Sequence, residues 1–176
     1  MAFFKEELLL VKAFIFDVDG VLSKDNLPLD NEGEPIRTSN VKDGLAIRNA
    51  VNNGFPVAII SGARTESLRK RYKHLGVEYI YLSVKSKEEC FIDFLKKTGI
   101  DAVTVMYMGD DLPDLTVMSK VGIPTCPADA VTEIKSISKY ISDRNGGDGC
   151  VRDVIEQVLR AQGKWINPTA FTTSSF

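Results

Sequence analysis

Two rhythms of apolar residues alternate along this chain. Short, nearly unbroken runs occupy Leu8 to Phe16, Pro56 to Ile60, Val77 to Leu82, Val103 to Met108 and Ile123 to Cys126. Such runs, bounded by turn formers, read as strands buried on both faces. Tyr140-Ile141 adds a short sixth candidate. Between the runs the spacing changes to three and four. Asp43 to Asn53 is predicted as a helix with Ile47, Ala50 and Val51 on one face, closed by Gly54. Thr65 to Leu75 is a second, carrying Leu68, Tyr72 and Leu75 and stopping at Gly76. Ser86-x-x-Glu89 fits a capping box ahead of Phe91, Phe94 and Leu95. That places Lys87 near the first helical position. Pro113 suits the start of a helix running from Asp114 to Val121. Ala130 to Ile137 is a weaker helix, and Val151, Val154, Ile155, Val158 and Leu159 mark the last.

This alternation predicts an α/β fold: a parallel sheet with helices on both faces and right-handed crossovers. The 176 residues suit one domain spanning 1–176. One stretch breaks the rhythm. Lys24 to Thr38 has no helical period and is dense in turn formers, with Asp30-Asn31-Glu32-Gly33 at a predicted hairpin tip. It reads as a short β-hairpin flap at about 24–38. The polar tail, about 164–176, reads as mobile.

Composition narrows the function classes. A formal charge of −2 leaves no basic excess to suggest nucleic acid, and nothing in the Lys/Arg pattern suggests a membrane surface. Cys90, Cys126 and Cys150 form no CxxC pair, so neither a zinc site nor a disulfide framework is indicated. A reducing, cytoplasmic setting fits. The N-terminus has no signal-peptide pattern, and no run reaches transmembrane length.

The chemistry gathers where the predicted strands end. The first run stops in Asp17-Val18-Asp19-Gly20, the second in Ser61-Gly62, and the fourth in Gly109-Asp110-Asp111-x-x-Asp114. Lys87 follows the third. In a parallel sheet these ends share one edge, which is where open α/β sheets bind ligands. The set suits phosphoryl transfer. Asp17, Asp19 and Asp110 are hard oxygen ligands for Mg²⁺, and Lys87 supplies positive charge. Ser61 and the backbone N–H groups beside Gly62 can hydrogen-bond phosphate oxygens. Asp17 would be the nucleophile and Asp19 the general acid and base. Each residue also has an ordinary alternative. Asp17 and Asp19 could simply end a strand, Ser61 could be a turn residue, Lys87 a solvated helix charge, and Asp111 an N-cap. His74 sits late in a helix and favours that end.

Together these residues resemble the four motifs of the haloacid dehalogenase superfamily phosphatases. Asp17-Val18-Asp19-Gly20-Val21 matches the first, Ser61 the second, Lys87 the third and Gly109-Asp110-Asp111-x-x-Asp114 the fourth. Asn40-Val41-Lys42-Asp43-Gly44, Gly146-Gly147-x-Gly149-x-x-Arg152 and Ala161-Gln162-Gly163-Lys164 add a likeness to the small capless branch. That branch contains the 3-deoxy-D-manno-octulosonate 8-phosphate (KDO 8-phosphate) and nonulosonate 9-phosphate phosphatases. The resemblance implies a Rossmann-like fold without a cap domain and a Mg²⁺-dependent phosphatase acting through an aspartyl-phosphate. It further implies a sugar-phosphate substrate and a homotetramer whose neighbouring subunits complete each active site. Asp111 and Asp114 would stand behind the metal ligands. Arg64 is a candidate for the substrate carboxylate, or else an ion pair positioning a loop; Arg152 is a weaker candidate. Ser23-Lys24-Asp25, Ala63 and Leu82-Ser83 depart from the branch's usual residues, which leaves eight- and nine-carbon substrates both open. Two other classes compete: a non-catalytic assembly domain, and a receiver-like domain that is phosphorylated on an Asp. The full motif set argues against the former, and Asp19 two residues after Asp17 against the latter.

Overall fold

The computed structural model describes residues 6–165. Six strands form one parallel sheet: β1 (Ala13–Phe16), β2 (Val57–Ile60), β3 (Tyr79–Tyr81), β4 (Val105–Met108), β5 (Ile123–Cys126) and β6 (Tyr140–Ile141). Their order across the sheet is β3-β2-β1-β4-β5-β6. The chain first builds outward from β1 to β3, then returns to β1's other side to begin again at β4. The crevice between β1 and β4 is therefore the switch point, where a doubly wound sheet leaves room for a ligand.

The side chains of β1, β2 and β4 alternate between two cores, as period-2 geometry requires. Phe14, Phe16, Val57, Ile59, Met106 and Met108 face one way. There they meet helices α1 (Val41–Asn52), α2 (Glu66–His74) and α6 (Cys150–Ala161). Ala13, Ile15, Ala58, Ile60, Val105 and Tyr107 face the other, against α3 (Lys87–Thr98), α4 (Leu115–Met118) and α5 (Thr132–Ile137). Full burial of such a side chain contributes about 1.5–3 kcal/mol, so both faces of the sheet are needed to hold the fold. The Tyr79 and Phe94 rings meet edge to face, 5.1 Å apart, and tie α3 to β3.

Register brings the strand ends together. Phe16 lies opposite Ile59 on one side and Met108 on the other. Asp17, Ser61 and Gly109-Asp110 therefore leave the sheet at one edge. The backbone N–H of Asp17 still donates to the Met108 carbonyl at 3.1 Å, so the nucleophile candidate is an extension of the sheet itself.

Several element boundaries differ from expectation. The first strand begins at Ala13 rather than Leu8, because Leu9 and Leu10 stand 60% and 57% exposed in a turn closed by Leu10 N–H on the Glu7 carbonyl. A 3₁₀ turn, Ala102–Thr104, shortens the fourth run; the Asp101 side chain accepts from the Val103 N–H. The helix expected over 114–121 splits into a 3₁₀ turn, Leu112–Asp114, and the single turn of α4. Within 24–38 the chain does form a hairpin. Leu29 and Pro35 pair antiparallel, and Asp30 Oδ1 accepts from the N–H groups of Glu32 and Glu34 across the tip. The expected tail lies outside the described residues from 166 onward. Among the described residues no helix is long and apolar enough to cross a membrane, and the three cysteines are unpaired.

Phe94→Ala removes a fully buried ring from the core between β3 and α3. A loss of about 3–5 kcal/mol is expected, read by urea unfolding. A loss below 1 kcal/mol would mean that the second face of the sheet contributes little.

Candidate active site

The site starts from Asp17, one residue beyond β1 and 7% exposed. Its Oδ1 accepts from the Val18 N–H at 2.6 Å. Its Oδ2 meets Lys87 Nζ, also at 2.6 Å. Lys87 reaches this point because Ser86 caps α3, accepting from the Glu89 N–H, and so directs the first helical turn at the sheet edge. The same ammonium lies 2.7 Å from Asp114 Oδ1.

Asp114 closes the 3₁₀ turn after β4. Its carboxylate is fully buried and shared three ways: Lys87, the Tyr107 hydroxyl donating at 2.5 Å, and the Asp110 N–H donating to Oδ2 at 3.3 Å. Asp110 then leans over Gly20. A Cβ on Gly20 would lie 1.9 Å from Asp110 Oδ2, and this residue has φ +79°, so only glycine fits at that position.

Asp17, Asp110 and Asp114 thus each present a carboxylate oxygen within 4.8 Å of the other two. Their electrostatics follow from that crowding. Burial, then the charge of Asp114, pushes Asp17 up to about 7, with Lys87 opposing. Burial, then Asp17 and Asp114, pushes Asp110 up to about 8. Burial would lower Lys87, but the two carboxylates outweigh it and its pKa is raised. Three carboxylates face one ammonium, and the imbalance is that of a divalent cation. The donors are all hard oxygens, the kind Mg²⁺ takes. The residues present therefore fit such an ion, with Asp17 and Asp110 as the ligands while Lys87 and Tyr107 occupy Asp114.

The remaining expected residues divide. Ser61 is buried and accepts from the Ala63 N–H at 3.1 Å, which leaves its hydroxyl proton free to donate toward the edge. Gly62 is exposed beside it. The Asp19 carboxylate, expected among the ligands, lies outside the group formed by Asp17, Asp110 and Asp114. Arg37 holds it with two hydrogen bonds, 2.7 Å from Nε to Oδ1 and 2.8 Å from Nη2 to Oδ2. Asp114, expected behind the ligands, lies beside them with its carboxylate taken by Lys87, Tyr107 and the Asp110 N–H. Asp111 turns outward and caps its own turn, accepting from the Leu112 N–H at 2.8 Å. Arg64 is exposed and makes no ion pair among the described residues. Arg152 points away, paired with Glu156 at 2.6 Å and stacked 4.4 Å from the Trp165 ring.

Two participants escaped the sequence reading. Arg37 leaves the hairpin and also donates to the Thr65 hydroxyl at 3.1 Å. Nothing in its local pattern marks it, because its partner lies 18 residues back. Tyr107 had a weak signal: a hydroxyl-bearing aromatic in an otherwise apolar buried strand needs a polar partner.

A family model described as haloacid dehalogenase-like hydrolase matches residues 80–154. The Salmonella typhi KDO 8-phosphate phosphatase KdsC is 39% identical over 154 residues, covering 88% of this chain and 82% of that protein. The Haemophilus influenzae enzyme is 34% identical over 160 residues, covering 91% and 89%. The crystal structure of the Moraxella catarrhalis phosphatase in complex with magnesium, phosphate and KDO superposes with a TM-score of 0.88 at 32% identity, covering 94% of this chain and 95% of that one. A cobalt-bound Haemophilus influenzae structure gives 0.87 at 33% identity, covering 95% and 99%. The chain belongs to the KDO 8-phosphate phosphatase family of haloacid dehalogenase-like hydrolases.

The crowded acids set a pH dependence for the metal-free protein. Folded Asp17 and Asp110 bind protons more tightly than at the ordinary value of 3.8, so their contribution to stability is full in acid and is lost as pH rises through about 7 and 8. In EDTA the melting temperature should therefore fall from about pH 5 to about pH 8, and Mg²⁺ should restore most of the loss at the upper end. A melting temperature that is flat with pH in EDTA would contradict this account of the cluster.

Proposed function

We propose that this chain is a Mg²⁺-dependent phosphatase that hydrolyses KDO 8-phosphate to KDO and inorganic phosphate. The observation that carries the reading is the convergence of Asp17, Asp110 and Asp114 around Lys87 at the switch point. Family membership supplies the substrate class, and the bound KDO and phosphate of the Moraxella catarrhalis structure support the eight-carbon choice. Mg²⁺ held by Asp17 and Asp110 would supply positive charge to the phosphoryl oxygens.

The protein's own groups then divide the work. Asp17 attacks phosphorus as its P–O bond to C8 of the sugar breaks, giving an aspartyl-phosphate. Lys87 neutralises charge on the transferring group and holds Asp17 in line. The Ser61 hydroxyl and the backbone beside Gly62 donate to the phosphoryl oxygens. Asp19 protonates the leaving alkoxide, then takes a proton from the water that cleaves the acyl phosphate. For that, its carboxylate must exchange Arg37 for the leaving oxygen. Asp114 keeps Lys87 in place from behind.

Without a cap domain, something else must cover the sugar. We assign this to a neighbouring copy in a homotetramer, with the exposed hairpin residues Leu29 and Ile36 as contact surface. The chain works as one phosphatase domain in the cytoplasm, where its unpaired cysteines stay reduced.

Asp17→Asn should abolish phosphate release while leaving the fold intact, measured with KDO 8-phosphate and Mg²⁺. Unchanged turnover would remove Asp17 as nucleophile. Across a panel of eight- and nine-carbon keto-acid phosphates, KDO 8-phosphate should give the highest kcat/KM; a nine-carbon leader would move the substrate assignment. Light scattering of the purified protein should report four copies.

A further inference from the structure

Gly149, the residue before helix α6, has φ +107° and no side chain to cap the helix. The cap comes from another element. Asp43, in the first turn of α1, accepts from the Arg152 N–H at 2.6 Å. Asp43 is only 1% exposed, and its second oxygen has no hydrogen-bond partner. An acid carrying one buried, unpaired oxygen is costly, and burial pushes it up to about 6.

What the cap holds is the loop ahead of α6. Asn40, at the start of α1, donates from Nδ2 to the Gly147 carbonyl at 3.1 Å. That loop lies directly on the segment following Asp17 and Asp19. The Gly147 N–H donates to the Val21 carbonyl at 2.8 Å, and Cys150 Sγ reaches the same carbonyl at 3.3 Å. Gly146 is closer still: a Cβ there would lie 2.0 Å from the Gly20 carbonyl oxygen. Gly20 is the residue over which Asp110 approaches. A continuous run of short contacts thus joins Asp43 to the floor of the acid cluster.

We propose that Asp43 is a positioning residue for phosphoryl transfer, fixing the start of α6 so that the Gly146-Gly147 turn braces Gly20 and Val21. The inference rests on the proposed function only in placing the chemistry at Asp17 and Asp110; it does not depend on which sugar is cleaved. Asp43 touches no reacting atom; it acts through the Arg152 backbone N–H at the start of α6.

The test compares Asp43→Ala with Asp43→Asn, using a simple aryl phosphate and Mg²⁺. Asparagine keeps the Oδ1 acceptor. Alanine should cut kcat about 10- to 100-fold with KM little changed, since a small displacement of a reacting group has that effect, while asparagine should restore most of it. Val158→Ala, in the buried face of the same helix, is the control: it should lower the melting temperature and leave kcat alone. Hydrogen exchange gives a reading independent of turnover. Residues 18–24 and 145–152 should exchange faster in Asp43→Ala than in Val158→Ala, with β4 protected in both. If Asp43→Ala does not fold, Asp43→Glu, which shifts the acceptor by one methylene, should show the same kcat loss. Wild-type kcat in a folded Asp43→Ala, or in Asp43→Glu if alanine does not fold, would overturn the proposal. So would loss of kcat in Val158→Ala equal to that in Asp43→Ala, or an asparagine variant as poor as alanine. Failure on KDO 8-phosphate with the Asp43 signature intact on the aryl phosphate would sink the substrate assignment alone.

Discussion

Three carboxylates crowd together at the sheet edge, two of them held by one ammonium, and that forced proximity organises the rest of this protein. Like charges a few ångström apart in a poorly solvated site repel strongly. Here the repulsion is tolerated because each acid is anchored from outside the cluster. Asp17 is anchored by the sheet edge and the Val18 N–H, Asp114 by Tyr107 and Lys87, and Asp110 by its place above Gly20. The cost is carried by the packing beneath. The two hydrophobic faces of the sheet supply the rigidity that keeps the acids from drifting apart. A floppier scaffold would relax the cluster and lose its affinity for a cation.

Strand order turns this local tension into a usable site. Because β1 and β4 are neighbours yet far apart in sequence, the crevice between them is formed by backbone that continues in opposite directions across the sheet. No crossover helix blocks it. Lys87 enters from the next layer at a helix start, where Ser86 sets the angle of approach. Each contributor arrives on a different element, so the geometry depends on the whole fold being formed.

Much of this was legible beforehand, for physical reasons. The buried runs around Ile15, Ile59 and Met106 alternate with helical spacing so regularly that a parallel sheet follows, and in such a sheet strand-end acids must converge. Legibility fails where a residue's partner is set by tertiary contact. Arg37 looks like one more charge in an irregular loop until the hairpin folds back on Asp19. The closeness of Asp114 to Asp17 and Asp110 depends on a 3₁₀ turn, Leu112–Asp114, in place of the expected longer helix. Asp43 belongs to a motif that sequence marks, but its hold on the start of α6 appears only once the helices pack. Leu9 and Leu10 mislead in the other sense, since apolar residues beside a strand need not belong to it.

The Arg37–Asp19 pair carries a mechanical corollary. Arg37 stands where the hairpin rejoins the body of the protein, and it clasps both carboxylate oxygens at once. The loop and the proton carrier therefore cannot be relocated independently. Displacing the loop either tears two charged contacts or drags the carboxylate with it, so any force applied at the tip is transmitted to the group that handles the proton.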